Sequence, residues 1–166
     1  NISLCSGLPN GVSGISWPNQ AVPTELQKKG WLNQFNQAAP AAGVDSVTTT
    51  AQRIVSRVKM IIIALTTSAT VANRSFRIKI SNATGLAILI PTNYIQTASL
   101  AVAYFFFEGG MYATLAGTNT VIVPLPTELV LRPVTTIETV TSGIQVGDQF
   151  GIMNVITDDF LAGSTV

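Results

Sequence analysis

Val, Ile and Thr fill 52 of the 166 positions, and no other property of this chain narrows its fold as much. Side chains branched at Cβ lose χ1 freedom in a helix and stand well on a pleated surface. Their distribution is uneven. The first fifty residues hold five of the thirteen glycines and four of the eight prolines, with little alternation. From Thr50 onward, β-type segments follow one another closely. The shift divides the chain into an N-terminal arm, residues 1–46, and a body, residues 47–166.

Period-two patterning is clearest in the body. In Arg74 to Ser81, Phe76, Ile78 and Ile80 point one way while Arg77 and Lys79 point the other. In Arg53 to Leu65, Ile54, Val58, Met60 and Ile62 share one face. The opposite face opens with Arg57 and Lys59 and continues with Ile61, Ile63 and Leu65, as in a strand that passes from solvent under another layer. Further strands are expected at Leu86 to Ile90, Ser99 to Phe107, Thr120 to Val123, Glu128 to Arg132, Thr135 to Thr141 and Phe150 to Ile156. Eight strands with no helical period between them predict an all-β antiparallel β-sandwich, jelly-roll-like, carrying an extended N-terminal arm.

The arm is read as mostly irregular, with a short helix near 24–37 that Thr24 would cap. Both tryptophans lie in this stretch. Burying an indole ring stabilises by a few kcal/mol at roughly 25 cal/mol per Å², yet the arm has no core to receive one. Trp17, Trp31 and Phe35 are therefore expected to anchor it on the body or on a neighbouring subunit.

Charge narrows the functional classes. Nine Lys and Arg stand against eight Asp and Glu, a net charge of +1, which disfavours a nucleic-acid partner held by phosphate contacts. There is no histidine and one cysteine, so zinc sites of the usual His and Cys kind and His-dependent triads are not expected. The longest apolar run, Leu100 to Phe107, is far short of the roughly 18 residues of a membrane span, and no signal peptide is expected at the start. Charged residues make up 10% of the chain, against about 25% in an ordinary soluble domain. Low charge of both signs favours association, which points to a subunit that covers its flanks with neighbours.

Candidate sites are few. Arg53, Arg57, Lys59, Arg77 and Lys79 form a basic set on two consecutive strands; pairing as a hairpin would gather them into one patch for an acidic neighbour, while a solvated edge-protecting face is the plainer reading. Asp158-Asp159 reads as a solvated C-terminal turn in preference to half of a cation site, which needs more oxygen ligands than two adjacent residues can aim; Glu108-Gly109-Gly110 and Gly147-Asp148 read as turn chemistry. Glu128 and Glu138 have the residue types of a glycosidase pair but no aromatic platform nearby. No catalytic residue, metal or cofactor is expected.

Three stretches carry a resemblance. They are Thr66-Thr67-Ser68-Ala69-Thr70-Val71-Ala72-Asn73-Arg74, leading straight into a strand; Gln96-Thr97-Ala98-Ser99-Leu100 before the aromatic run Tyr104 to Phe107; and Pro124-Leu125-Pro126-Thr127-Glu128-Leu129-Val130-Leu131-Arg132-Pro133, followed by Thr135-Thr136-Ile137 and Gly143 to Gln149. In this layout, over roughly residues 53 to 157, the body resembles small tailed-bacteriophage virion proteins. The resemblance implies a jelly-roll-like sandwich built into a phage particle and brings no catalytic residues. A non-enzymatic capsid decoration or cement subunit is the expectation that follows, placed on the capsid exterior, with itself (as a homotrimer) and the major capsid protein as partners. A tail, baseplate or head-fibre component is the alternative place in the virion. A carbohydrate-binding β-sandwich is the alternative of another class, with Tyr94, Tyr104 and Tyr112 as its aromatic candidates.

Overall fold

The computed structural model describes residues 30–50, 54–85, 87–115 and 117–161. They form twelve strands and no helix: β1 (Trp31–Gln37), β2 (Val47–Thr49), β3 (Ile54–Thr66), β4 (Ser75–Ser81), β5 (Ala87–Pro91), β6 (Ala101–Glu108), β7 (Ala113–Leu115), β8 (Thr120–Leu125), β9 (Val130–Leu131), β10 (Thr136–Ser142), β11 (Gln149–Phe150) and β12 (Met153–Leu161). The larger sheet runs β1-β12-β3-β6-β8-β7, with β9 and β11 also paired to β3; the smaller runs β2-β10-β4-β5. The all-β sandwich expected from the sequence is the fold. The strand count is twelve rather than eight, and one pair, β6 with β8, is parallel.

The long strand β3 organises the larger sheet, and its alternation is broken once. Ile156 pairs with Met60 but Thr157 pairs with Val58, so Lys59 is the extra residue of a β-bulge. Ser56 and Val58 face inward before it, and Ile61, Ile63 and Leu65 after it. The change from polar to apolar character along one face is thus a change of phase at the bulge. The strand does not slide under a further layer.

The core lies between the sheets. From the larger sheet come Val58, Ile61, Ile63, Leu65, Val102, Tyr104, Phe106, Val121, Val123, Phe150, Met153 and Val155; from the smaller come Phe76, Ile78, Ile80, Ile90 and Ile137. Each such side chain contributes roughly 1.5–3 kcal/mol by leaving water. Phe76 sits at the centre, its ring edge-on to Tyr104 at 4.6 Å and to Phe150 at 5.4 Å, with Phe106 tilted at 6.2 Å. The Tyr104 hydroxyl donates to Gln96 Oε1 at 2.9 Å, and Gln96 Nε2 donates to the carbonyls of Leu65 and Leu100. Burial pushes the Tyr104 hydroxyl pKa up, so it remains a neutral donor.

The helix expected near 24–37 is not what residues 31–37 form. Trp31–Gln37 is strand β1, paired antiparallel along its whole length with β12, Trp31 opposite Asp159 and Gln37 opposite Met153. Two local causes are visible. Gly30 sits at φ +63°, outside the right-handed helical range, and the ring of Phe160 lies where a Cβ would stand, so this entry into the strand is one that only glycine fits. Beyond it, the edge of β12 offers a full ladder of backbone partners, and Phe35 packs against the core. Part of the region read as irregular arm therefore belongs to the larger sheet. Residues 24–29 lie outside the described residues.

Candidate functional site

The basic set is divided by the fold. Arg57 and Lys59 lie on β3 in the larger sheet, Arg77 and Lys79 on β4 in the smaller, and Arg53 falls outside the described residues. β3 and β4 do not pair as a hairpin; the connection between them crosses from one sheet to the other, so the four described members do not form a single patch.

Each half has its own chemistry. Arg57 and Lys59, two apart on the outer face of β3, converge on one carboxylate: Arg57 Nη2 donates to Glu108 Oε1 at 2.9 Å and Lys59 Nζ to Glu108 Oε2 at 2.7 Å. The backbone N–H of Glu128 also donates to Glu108 Oε1, at 2.7 Å. These donors, Lys59 foremost, hold the Glu108 carboxyl at about 2, well below the usual carboxylate range. Asp158 and Glu128 lie 3.5 Å from Lys59 and Arg57 respectively. On the smaller sheet Lys79 pairs with Glu138 at 2.5 Å, whereas Arg77 has no carboxylate partner among the described residues.

The acidic candidates are largely committed to structure. Asp159 is buried and accepts from Asn33 Nδ2 at 2.6 Å and Thr157 Oγ1 at 2.7 Å, joining β1 to β12. Glu128 is exposed at a positive-φ turn while Glu138 is paired with Lys79, so the two do not face one reacting bond. No group of three or more metal-ligating side chains occurs among the described residues.

One charged feature escaped the sequence reading. Arg74 and Asp148, both fully buried, form a two-pronged ion pair, Nε to Oδ2 at 2.9 Å and Nη2 to Oδ1 at 3.0 Å. Asp148 also accepts from the Ser68 and Gln145 amides and the Ser68 hydroxyl. Burial pushes its carboxyl up, but these donors together outweigh it and hold it at about 2. The pair ties the β3–β4 connection to the turn before β11. Asp148 had read as turn chemistry, and 74 residues of sequence separation gave no sign of its partner.

Of the expected anchors, Phe35 is half-buried against the core, Trp31 is 42% exposed, and Trp17 lies outside the described residues. The aromatic candidates also separate: Tyr104 is buried, Tyr94 is half-buried with its ring 6.2 Å from that of Tyr104, and Tyr112 donates its hydroxyl to the Asn93 carbonyl.

A broader feature is the outer face of the larger sheet. Opposite the core, Met60, Ile62, Phe105, Phe107, Ile122 and Ile156 are half-buried at alternating positions. Cross-strand register brings them together: Ile156 beside Met60, Met60 beside Phe107, Ile62 beside Phe105, Phe105 beside Ile122. The smaller sheet covers only the inner face, so this apolar surface has no second sheet over it. The Arg57–Lys59–Glu108 cluster borders it at one end.

The fold and its surfaces together define an all-β sandwich with an apolar outer flank. No family model matches the chain, and no curated protein matches it in sequence. Among solved structures it is similar to a chain of the T13 IBDV viral particle, at 12% identity and a TM-score of 0.41. It is also similar to chains in structures of infectious bursal disease virus, Gx strain (10% identity, TM-score 0.40) and Gt strain (16% identity, TM-score 0.33). The matches cover 83%, 84% and 82% of this chain but 33%, 34% and 32% of those chains. The chain thus spans about a third of the length of the structures it matches.

Proposed function

We propose that the chain is a non-enzymatic structural subunit of a virion, a decoration or cement subunit on the exterior of a phage capsid that associates with sister copies, as a trimer, and with the major capsid protein. The observation that carries this reading is the apolar outer face centred on Ile62 and Phe105, in a chain only 10% charged. An apolar sheet face whose charged neighbours gather at one end and neutralise one another loses least by pressing against another protein surface. The resemblance of residues 53 to 157 to tailed-phage virion proteins supports the setting. The function would then be adhesive, many weak contacts acting together at high effective concentration.

The test has two parts. Light scattering on the purified chain should give a discrete oligomer, and Phe105→Lys should dissociate it while leaving the β circular dichroism unchanged. Added to undecorated capsids, the wild-type protein should bind stoichiometrically and raise their melting temperature. A wild-type monomer, or capsids that bind none of it, would defeat the proposal.

A further inference from the structure

A groove of about 700 Å³ opens on the outer side of the smaller sheet, between the β4–β10 pair and the loop that follows β5. Its volume lies within the range of small-ligand sites. Ser142 pairs with Ser75 in the ladder, and the exposed Arg77 stands between Val140 on β10 and Pro91 on β5, all five residues lining the groove. The wall is the loop carrying Asn93 and Tyr94. That loop is fixed, because Tyr112 donates to the Asn93 carbonyl at 2.9 Å and Thr92 bonds the Phe76 carbonyl through both its amide and its hydroxyl. Asn93 itself is held at φ +51°.

Apart from Thr92 and Thr141, whose hydroxyls bond Phe76 and Asp45, the polar side chains lining this groove are unused. Ser75, Arg77, Asn93, Tyr94 and Ser142 line it, and none of their side chains has a hydrogen-bond or ion partner among the described residues. Four of the six described cations are held by carboxylates: Arg57, Lys59, Arg74 and Lys79. Arg77 is not, and no acid lines the groove. A lone guanidinium calls for one carboxylate. The short hydroxyl and amide side chains around it suit a compact ligand with several hydroxyls, and the half-exposed Tyr94 ring offers an apolar plate. An acidic peptide would instead be expected to meet several cations.

We propose that this groove binds an acidic sugar, with the ligand carboxylate on Arg77 and the ring hydroxyls on Asn93, Ser75 and Ser142. The inference is independent of the virion reading, since it concerns the smaller sheet and requires no oligomer.

The test titrates the full chain with galacturonate and N-acetylneuraminate, with galactose as the neutral control and tetraglutamate as the acidic-peptide control, followed by amide chemical shifts. At least one acidic sugar should saturate and shift residues of β4, β10 and the 92–95 loop, and galactose should bind about tenfold more weakly or less. Arg77→Met should lower affinity about tenfold or more, Ser142→Ala by a smaller factor, and Arg132→Met, at an exposed arginine outside the groove, not at all. Circular dichroism on each variant verifies folding. The proposal fails if neither acidic sugar saturates, if Arg77→Met binds as wild type does, if Arg132→Met loses as much, or if tetraglutamate binds more tightly than either sugar.

Discussion

Replacing Asp148 by Asn tests how far one buried ion pair holds the loops of this sandwich in place. Both partners are fully buried, and the carboxylate accepts five hydrogen bonds: two from Arg74, two from Ser68 and one from the Gln145 amide. An Asn amide keeps one acceptor oxygen, turns its NH2 towards existing donors and leaves the guanidinium without a counter-charge. Removing one member of a buried pair costs about 3–5 kcal/mol, more than the pair itself need contribute. With a urea m-value of about 2 kcal/mol/M, the unfolding midpoint of Asp148→Asn should fall by about 1.5–2.5 M. The acid limb gives a second magnitude. The Asp148 carboxyl is held at about 2 against an ordinary 3.8, which corresponds to about 2 kcal/mol of stability. Because the folded value is depressed, that contribution is present above pH 4 and is lost as pH falls from about 4 through about 2; Asp148→Asn should lack this part of the acid sensitivity. Urea titrations by circular dichroism at pH 7, 4, 3 and 2 measure both effects. A midpoint shift worth less than about 1 kcal/mol, or an unchanged acid profile, would refute the reasoning. The double replacement Arg74→Met with Asp148→Leu should cost less than Asp148→Asn alone, since it leaves no isolated charge.

Two further outcomes follow from other parts of the molecule. The Glu108 carboxyl should titrate near pH 2 by carbon-detected NMR, against an ordinary value of 4.5, and Lys59→Met should move that midpoint upward; a wild-type midpoint above 4 would contradict the Arg57–Lys59–Glu108 geometry. Phe76→Ala should destabilise by about 3–5 kcal/mol in the same urea assay, because three rings of the facing sheet lose their common neighbour.

Where alternation was strong, the sequence located the elements closely. The inward set Phe76, Ile78 and Ile80 is the buried face of β4, and the expected segments at 99–107 and 120–123 correspond to β6 and β8. β1 was missed because Trp-Leu-Asn-Gln-Phe-Asn-Gln has weak strand propensity; its ladder is supplied by β12, over a hundred residues away. β9 falls inside the segment expected at 128–132, whereas the three-residue β2 and β7 were not anticipated, since each exists only as the partner of a longer strand. The bulge at Lys59 was visible only as polar and apolar residues changing places on one face, which fits a covering layer equally well until the partner register is known. Site chemistry was less legible still. Arg57 and Lys59 stood in the sequence only as two members of a five-residue basic set, and which carboxylate they meet depends on β3 lying beside β6. Arg77 was grouped with them by proximity in sequence, although the fold places it on the other sheet.

The position of β12 has a consequence for how the chain is made. This late strand lies between β1 and β3, and β1 has no other strand neighbour among the described residues. During synthesis from the N-terminus, residues 31–37 must therefore wait unpaired until residues 153–161 leave the ribosome. Folding can finish only after translation of that segment, and nascent chains arrested before it would expose the unzipped edges of β1 and β3 to chaperones or to one another.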